Sequence, residues 1–150
     1  MRVLPFLLVV FLLTSVLAVP DPSSDIGDRQ GRPSSLSSDW RVETVETVGD
    51  VRFTSIALDR FGYPHISYSD VWNQSCKYAK WTGTQWSIET VDSNDFGCLF
   101  TSVALDNAGH PHISYHTSGD FDLKYAKWTG SAWSIETVDS EGSVGYYTSI

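Results

Sequence analysis

Positive charge, cysteine and long apolar stretches are all scarce in this chain, and each scarcity excludes something. Lys and Arg number 10 against 18 Asp and Glu in 150 residues, a formal charge of −8. Phosphate backbones are held by clustered Lys and Arg, so nucleic acid is excluded as a natural partner. Two cysteines, Cys76 and Cys98, allow one internal bridge at most. The one extended apolar run, Val3 to Ala18, is about 16 residues, short of the roughly 20 that span a bilayer. No Lys/Arg cluster follows it as a stop-transfer flank, and no cysteine follows it as a lipid anchor. With Arg2 before it and Val16-Leu17-Ala18 at its end, residues 1–18 read as a cleaved signal peptide. The mature chain is then expected to be secreted or held at the cell surface, with no stable membrane insertion.

Residues 19–39 (VPDPSSDIGDRQGRPSSLSSD) hold almost nothing to bury and read as a flexible Pro/Ser/Gly/Asp linker. The domain begins near Trp40. What it holds in abundance is aromatic and β-branched residues: six Trp, seven Tyr and five Phe, beside many Thr, Val and Ile. That composition favours strands. At 41% hydrophobic and 19% charged, the chain is no disordered tail.

The organising feature is a repeat. Thr54-Ser-Ile-Ala-Leu-Asp59 returns as Thr101-Ser-Val-Ala-Leu-Asp106, and Pro64-His-Ile-Ser-Tyr68 returns as Pro111-His-Ile-Ser-Tyr115. Lys77-Tyr-Ala-Lys-Trp-Thr-Gly83 returns at 124–130, and Trp86-Ser-Ile-Glu-Thr-Val-Asp-Ser93 at 133–140, always 47 residues on. Residues 54–100 laid on 101–147 without a gap give 26 identities in 47 positions. Each unit divides into four strand-sized pieces separated by turn chemistry: Phe53–Asp59, His65–Ser69, Cys76–Trp81 and Trp86–Val91 in the first. Four short antiparallel strands per unit of this length describe a propeller blade.

The fold expected is therefore all-β: a β-propeller of four-stranded blades with a 47-residue repeat. Blade 1 covers 53–99, blade 2 covers 100–146, and 147–150 begin a third. A solenoid of stacked strands is the alternative, though its coils are usually shorter. Trp40-Arg-Val-Glu-Thr-Val45 repeats the fourth strand with no strands before it. Residues 40–52 thus read as a lone outer strand and loop that would complete a last blade and close a ring. Four to eight blades need roughly 190 to 380 residues, so the chain reads as an N-terminal fragment of about two blades plus that closing strand.

These motifs, G-x-P-H-I-S-Y, K-Y-A-K-W-T-G-x-x-W and S-I-E-T-V-D, resemble repeats of secreted microbial propeller proteins grouped in the sialidase-like or BNR-repeat superfamily. The resemblance spans about 40–150. It implies the propeller fold and leaves activity open. Sialidase repeats carry an Asp box, S-x-D-x-G-x-x-W, whereas the hairpins here read Lys80-Trp-Thr-Gly-Thr-Gln-Trp86 and Lys127-Trp-Thr-Gly-Ser-Ala-Trp133. The Gly and last Trp fit; the Ser and Asp are missing. Sialidase catalysis further implies an arginine cluster, a Tyr/Glu pair and an acid Asp, yet no arginine follows Arg60. The repeats also resemble lectin propellers, whose sugar sites lie between successive blades.

The repeat separates framework from specialised positions, because what recurs has a recurring local cause. His65/His112, Asp59/Asp106 and Asp92/Asp139 recur and read as structural hydrogen-bonding groups. Trp81/Trp86 and Trp128/Trp133 read as aromatic clasps on a hairpin, and Glu89/Glu136 and Lys80/Lys127 as solvated rim charges. No catalytic residues and no cofactor are read from the residues present. Asp120 and Asp122 supply two carboxylates where Ca²⁺ takes six to eight oxygens, so no metal site is expected.

What varies lies in the loops after the second and fourth strands, which emerge on one face of a blade. Asp70, Trp72, Asn73, Asp95, Phe96, His116 and Asp120 are the candidate ligand-binding residues. Aromatics that stack on sugar faces, beside acids and amides that pair with hydroxyls, suit extracellular carbohydrate. Cys76 and Cys98 fall on this face, and their counterparts Leu123 and Gly145 are not Cys. Two cysteines gained together in an exported chain suggest a disulfide between neighbouring blades, with two separate buried thiols as the alternative. Asn73-Gln-Ser75 is an N-glycosylation sequon. The function expected is a secreted glycan-binding propeller. The alternatives are a sialidase-like glycoside hydrolase with its catalytic residues elsewhere, or a structural adhesion propeller.

Overall fold

The computed structural model describes residues 42–47, 49–94 and 96–150. The chain divides into residues 1–47 and 48–150. Of the first unit only 42–47 are described, and they carry no strand. The expected signal peptide, the linker and Trp40 lie outside the described residues.

The second unit is all-β, with eight strands and no helix among the described residues. They are β1 (Val51–Leu58), β2 (Pro64–Asp70), β3 (Ser75–Trp81), β4 (Trp86–Asp92), β5 (Cys98–Leu105), β6 (Pro111–Thr117), β7 (Leu123–Trp128) and β8 (Trp133–Asp139). They form two four-stranded sheets, β1-β2-β3-β4 and β5-β6-β7-β8, each antiparallel throughout. Each 47-residue unit is thus one propeller-type blade, as the repeat requires.

The first strand of each blade starts two residues earlier than its pattern suggests, because a bulge lets the chain re-pair beyond it. Register shifts between Arg52 and Ser55, and between Leu99 and Ser102. Phe53 and Phe100 occupy the bulges with φ of 51° each, and Tyr147 repeats the geometry at 55°. A bulky residue at positive φ is strained. Its recurrence at every 47th position marks it as part of the blade design. The rings step across the blades, Phe53 to Phe100 and Phe100 to Tyr147, with centroids 4.5 Å apart in both pairs.

The turns after the first strands are built on one acid. Asp59 Oδ1 accepts from the amides of Phe61 (2.8 Å) and Tyr63 (2.9 Å), and Asp106 Oδ1 does the same for Ala108 and His110 (2.8 Å each). The other oxygen of each acid faces an imidazole, His65 Nε2 at 3.8 Å and His112 Nε2 at 3.7 Å. Nδ1 of His65 bonds the Tyr78 hydroxyl, and Nδ1 of His112 that of Tyr125. This Asp–His–Tyr chain resembles a proton relay, but it stands at the same place in both blades and braces strand to turn. The structural reading of these histidines holds.

The main core lies between the blades. Cys76, Tyr78 and Val91 of blade 1 meet Cys98, Val103, Ile113, Tyr115 and Ala126 of blade 2, with Ala57 and Trp133 packed against them. A polar ladder fixes the junction. Thr101 Oγ1 donates to the Phe53 carbonyl (2.8 Å), Ser67 Oγ donates to Thr101 Oγ1 (2.9 Å), and Val103 N donates to Ser55 Oγ (3.1 Å). One repeat later Thr148 bonds the Phe100 carbonyl (2.9 Å) and Ser114 Oγ (2.9 Å), and Ile150 N bonds Ser102 Oγ (3.2 Å). The third unit therefore seats its first residues on blade 2 just as blade 2 seats on blade 1.

Two framework assignments change. Glu89 is more than a rim charge, since its Oε2 accepts from Trp133 Nε1 of the next blade at 3.1 Å. Asp92 is more than a turn acid: Oδ1 holds Asn94 (3.0 Å to N), while Oδ2 accepts from the Tyr115 hydroxyl of blade 2 at 2.6 Å.

Candidate functional site

In this topology the β2–β3 and β4–β5 connections emerge together on one face, and the β1–β2 and β3–β4 turns on the other. On the first, the loop face, neighbouring blades are tied: Ser118 N donates to the Gly97 carbonyl (3.3 Å) and Ser118 Oγ to that of Phe96. Phe96 and Gly97 of blade 1 thus adjoin Ser118 of blade 2.

The blade 1 notch is stapled shut. Cys76 and Cys98 form a disulfide with Cα atoms 5.1 Å apart, joining β3 of one blade to β5 of the next. Gly97 packs so closely that a Cβ there would lie 2.8 Å from the backbone carbon of Gln74, and its φ is +86°. The bridge expected from the paired cysteines is present.

Asp70, the last residue of β2, is fully buried. Its carboxylate accepts from Asn73 N (3.1 Å) and Asn73 Nδ2 (2.6 Å), and Lys77 Nζ lies 3.2 Å away. Burial pushes its pKa up, but the Asn73 bonds and Lys77 outweigh that and hold it below the usual carboxylate value. Asp70 and Asn73 therefore spend their polar groups on each other and shape the loop. Trp72, carried on that loop, is 76% exposed. Phe96 is exposed on the adjoining loop. Asp95 lies outside the described residues. Asp120 is exposed on the β6–β7 loop.

His116 ends differently from the expectation of a surface contact. It is fully buried, its Nδ1 bonds the Val144 carbonyl, and its Nε2 has no hydrogen-bond partner. Around the imidazole stand Tyr146 (centroid 4.4 Å), Phe121 (5.9 Å) and Phe100 (6.3 Å). Phe100 in turn meets Tyr146 at 5.4 Å and Tyr147 at 4.5 Å. Phe121, Tyr146 and Tyr147 are themselves exposed, Tyr147 at 81%.

Sequence reasoning included His116 and missed the rings around it. The signal was in the repeat: Ser69, Gln74, Leu99 and Phe100 of the first notch become His116, Phe121, Tyr146 and Tyr147 of the second. The structure brings these four together around Phe100, and leaves Trp72 and Phe96 exposed on the loops of blade 1. Among the described residues, no group of three or more His, Cys, Asp and Glu is arranged to hold a metal ion.

No family model matches the chain, and no curated protein matches it. Among solved structures, a fucose lectin from Kordia zhangzhouensis in complex with methyl-fucoside is similar, at 18% identity and a TM-score of 0.47. The match covers 70% of this chain and 78% of that one.

Proposed function

We propose that the chain is an exported β-propeller module that binds extracellular carbohydrate on its loop face. The observation that carries the reading is the density of exposed aromatic rings there: Trp72, Phe96, Phe121 and Tyr146. Water-exposed rings of this kind stack on the apolar faces of sugars, and neighbouring polar groups pair with hydroxyls. The turn face offers Phe61 and Tyr63 in blade 1 only, replaced by Ala108 and His110 in blade 2. Export is supported by the apolar leader at 1–18 and by the Cys76–Cys98 disulfide, which persists in oxidising compartments. Kinship with sialidase-like repeat proteins rests on the Trp-Thr-Gly-x-x-Trp hairpins.

The test is a glycan array probed with the purified, oxidised chain. Binding that Trp72→Ala or Tyr146→Ala weakens at least tenfold supports the reading. An array that stays silent with folded protein overturns it.

A further inference from the structure

We infer that the second notch, and not the first, is the ligand site, and that it takes a neutral, hydroxyl-bearing ring whose donor hydroxyl reaches His116 Nε2. The inference rests on the carbohydrate reading of this face and goes further by naming the notch, the acceptor and the charge class. Three observations carry it.

The first is the unpartnered acceptor. A carbonyl oxygen faces Nδ1, so Nδ1 must donate, and in the neutral ring Nε2 then presents a lone pair. That atom is buried without a partner in the structure. An unmet buried acceptor is costly, and a ligand hydroxyl would relieve the cost on binding.

The second is what surrounds it. Phe100, Phe121 and Tyr146 wall the imidazole, and Phe121 and Tyr146 are half exposed, so a ligand ring that reaches Nε2 would meet these ring faces with its C–H face. The equivalent places in blade 1 hold Phe53, Gln74 and Leu99, with Ser69 at the His116 position, and the disulfide locks that notch. The two notches share a backbone plan and differ in chemistry.

The third is charge. The loops bounding the second notch, 117–122 and 140–147, contain Asp120, Asp122 and Glu141 and no Lys or Arg. Lys124 nearby lies 3.9 Å from Asp92. A carboxylate-bearing sugar would meet like charge and no cation, so sialic and uronic acids are disfavoured.

The test uses the full oxidised chain, isotope-labelled, with neutral methyl glycosides of galactose, mannose, fucose and N-acetylglucosamine. Methyl glycosides of glucuronic acid and N-acetylneuraminic acid serve as the acidic set. A neutral glycoside is expected to move the side-chain nitrogen resonance of His116 Nε2, and the acidic set is not. His116→Asn keeps a donor near the Val144 carbonyl and removes the Nε2 acceptor; it should weaken binding about tenfold or more in protein that remains folded. If it unfolds, Tyr146→Ala and Phe121→Ala, at exposed rings, carry the same expectation. Phe61→Ala on the turn face should change nothing. Neutral sugars that bind equally well to all these variants but not to Trp72→Ala overturn the inference and leave the broader carbohydrate reading standing. Acidic glycosides that bind as tightly as neutral ones overturn the charge argument. Failure of every glycoside to bind, with an array also silent, removes both.

Discussion

Blade 1 and blade 2 pair their strands in the same register from bulge to hairpin, and they differ most on the loop face. Blade 1 closes its notch covalently with Cys76–Cys98, while blade 2 sets Leu123 against Gly145 at the same two positions. The exchange is coupled by volume: a Cβ on Gly145 would lie 3.1 Å from both Cβ and Cδ1 of Leu123. Blade 1 ties its loop down with a buried Asp70–Asn73–Lys77 group, whereas blade 2 has Thr117 there, whose Oγ1 accepts from Asp122 N at 2.9 Å. One notch is a staple and the other an aromatic nest around an unsatisfied imidazole. A repeat protein can thus keep a common scaffold while the chemistry of its notches changes from one unit to the next.

The largest expected effect breaks the staple. The bridge closes a loop with a sequence separation of 22, and losing it should cost about 3 kcal/mol. Reduction, or Cys76→Ser with Cys98→Ser, should therefore lower the melting temperature by roughly 10 °C or more. Calorimetry with and without reductant measures it, and an unchanged melting temperature would mean blade 1 owes nothing to its bridge.

Next come the glycines that replace bulk. Gly145→Ala must carry a Cβ at φ +84° and push on Leu123, so a loss of about 2 kcal/mol is expected. Gly142→Ala at φ +81° meets nothing within 4 Å and should cost only the backbone strain, about 1 kcal/mol. Urea titrations of the two variants separate packing from strain. Equal losses would show that Leu123 yields freely and that the coupling of the pair is an accident of sequence.

How far was this arrangement legible beforehand? The repeat gave the strands and turns of the two units, because period and the positions of Gly and Pro are local properties of sequence. Even the bridge could be suspected, since Cys76 and Cys98 depart from the repeat together. The bulges at Phe53 and Phe100 were not visible: nothing in Phe itself signals positive φ, and only pairing beyond the bulge to Asp70 and Ser69 requires it. The fate of the candidate residues was also hidden. Asp70 and Asn73 look alike in sequence whether they face a ligand or each other, and burial decides. Phe121 and Tyr146 lie 25 residues apart in the chain and become one nest only when the last loop folds back on β6.

Smaller effects test the junctions. Thr101→Val removes the rung to the Phe53 carbonyl and Ser67 at a buried site, a loss of about 1 to 2 kcal/mol. Thr148→Val removes the equivalent rung at a residue that is only half-buried, and should cost less. Denaturant midpoints of the two variants rank the junctions. The opposite order would mean the ladder's strength does not follow burial.

The smallest effect concerns His65, which is buried. Burial, then the charge of Lys80, lowers its pKa below the usual imidazole value, and Asp59 only partly opposes them. The folded chain therefore resists the proton that the unfolded chain accepts below about pH 6.5. Its contribution to stability is complete above that pH and is lost as pH falls towards the folded value, with a slope of at most about 1.4 kcal/mol per unit for one proton. Urea midpoints measured from pH 7.5 down to 5.0, above the range where carboxylates titrate, should fall, and His65→Gln should flatten the decline. A decline of the same steepness in that variant would assign it to another group and leave the Asp59–His65–Tyr78 brace indifferent to acid.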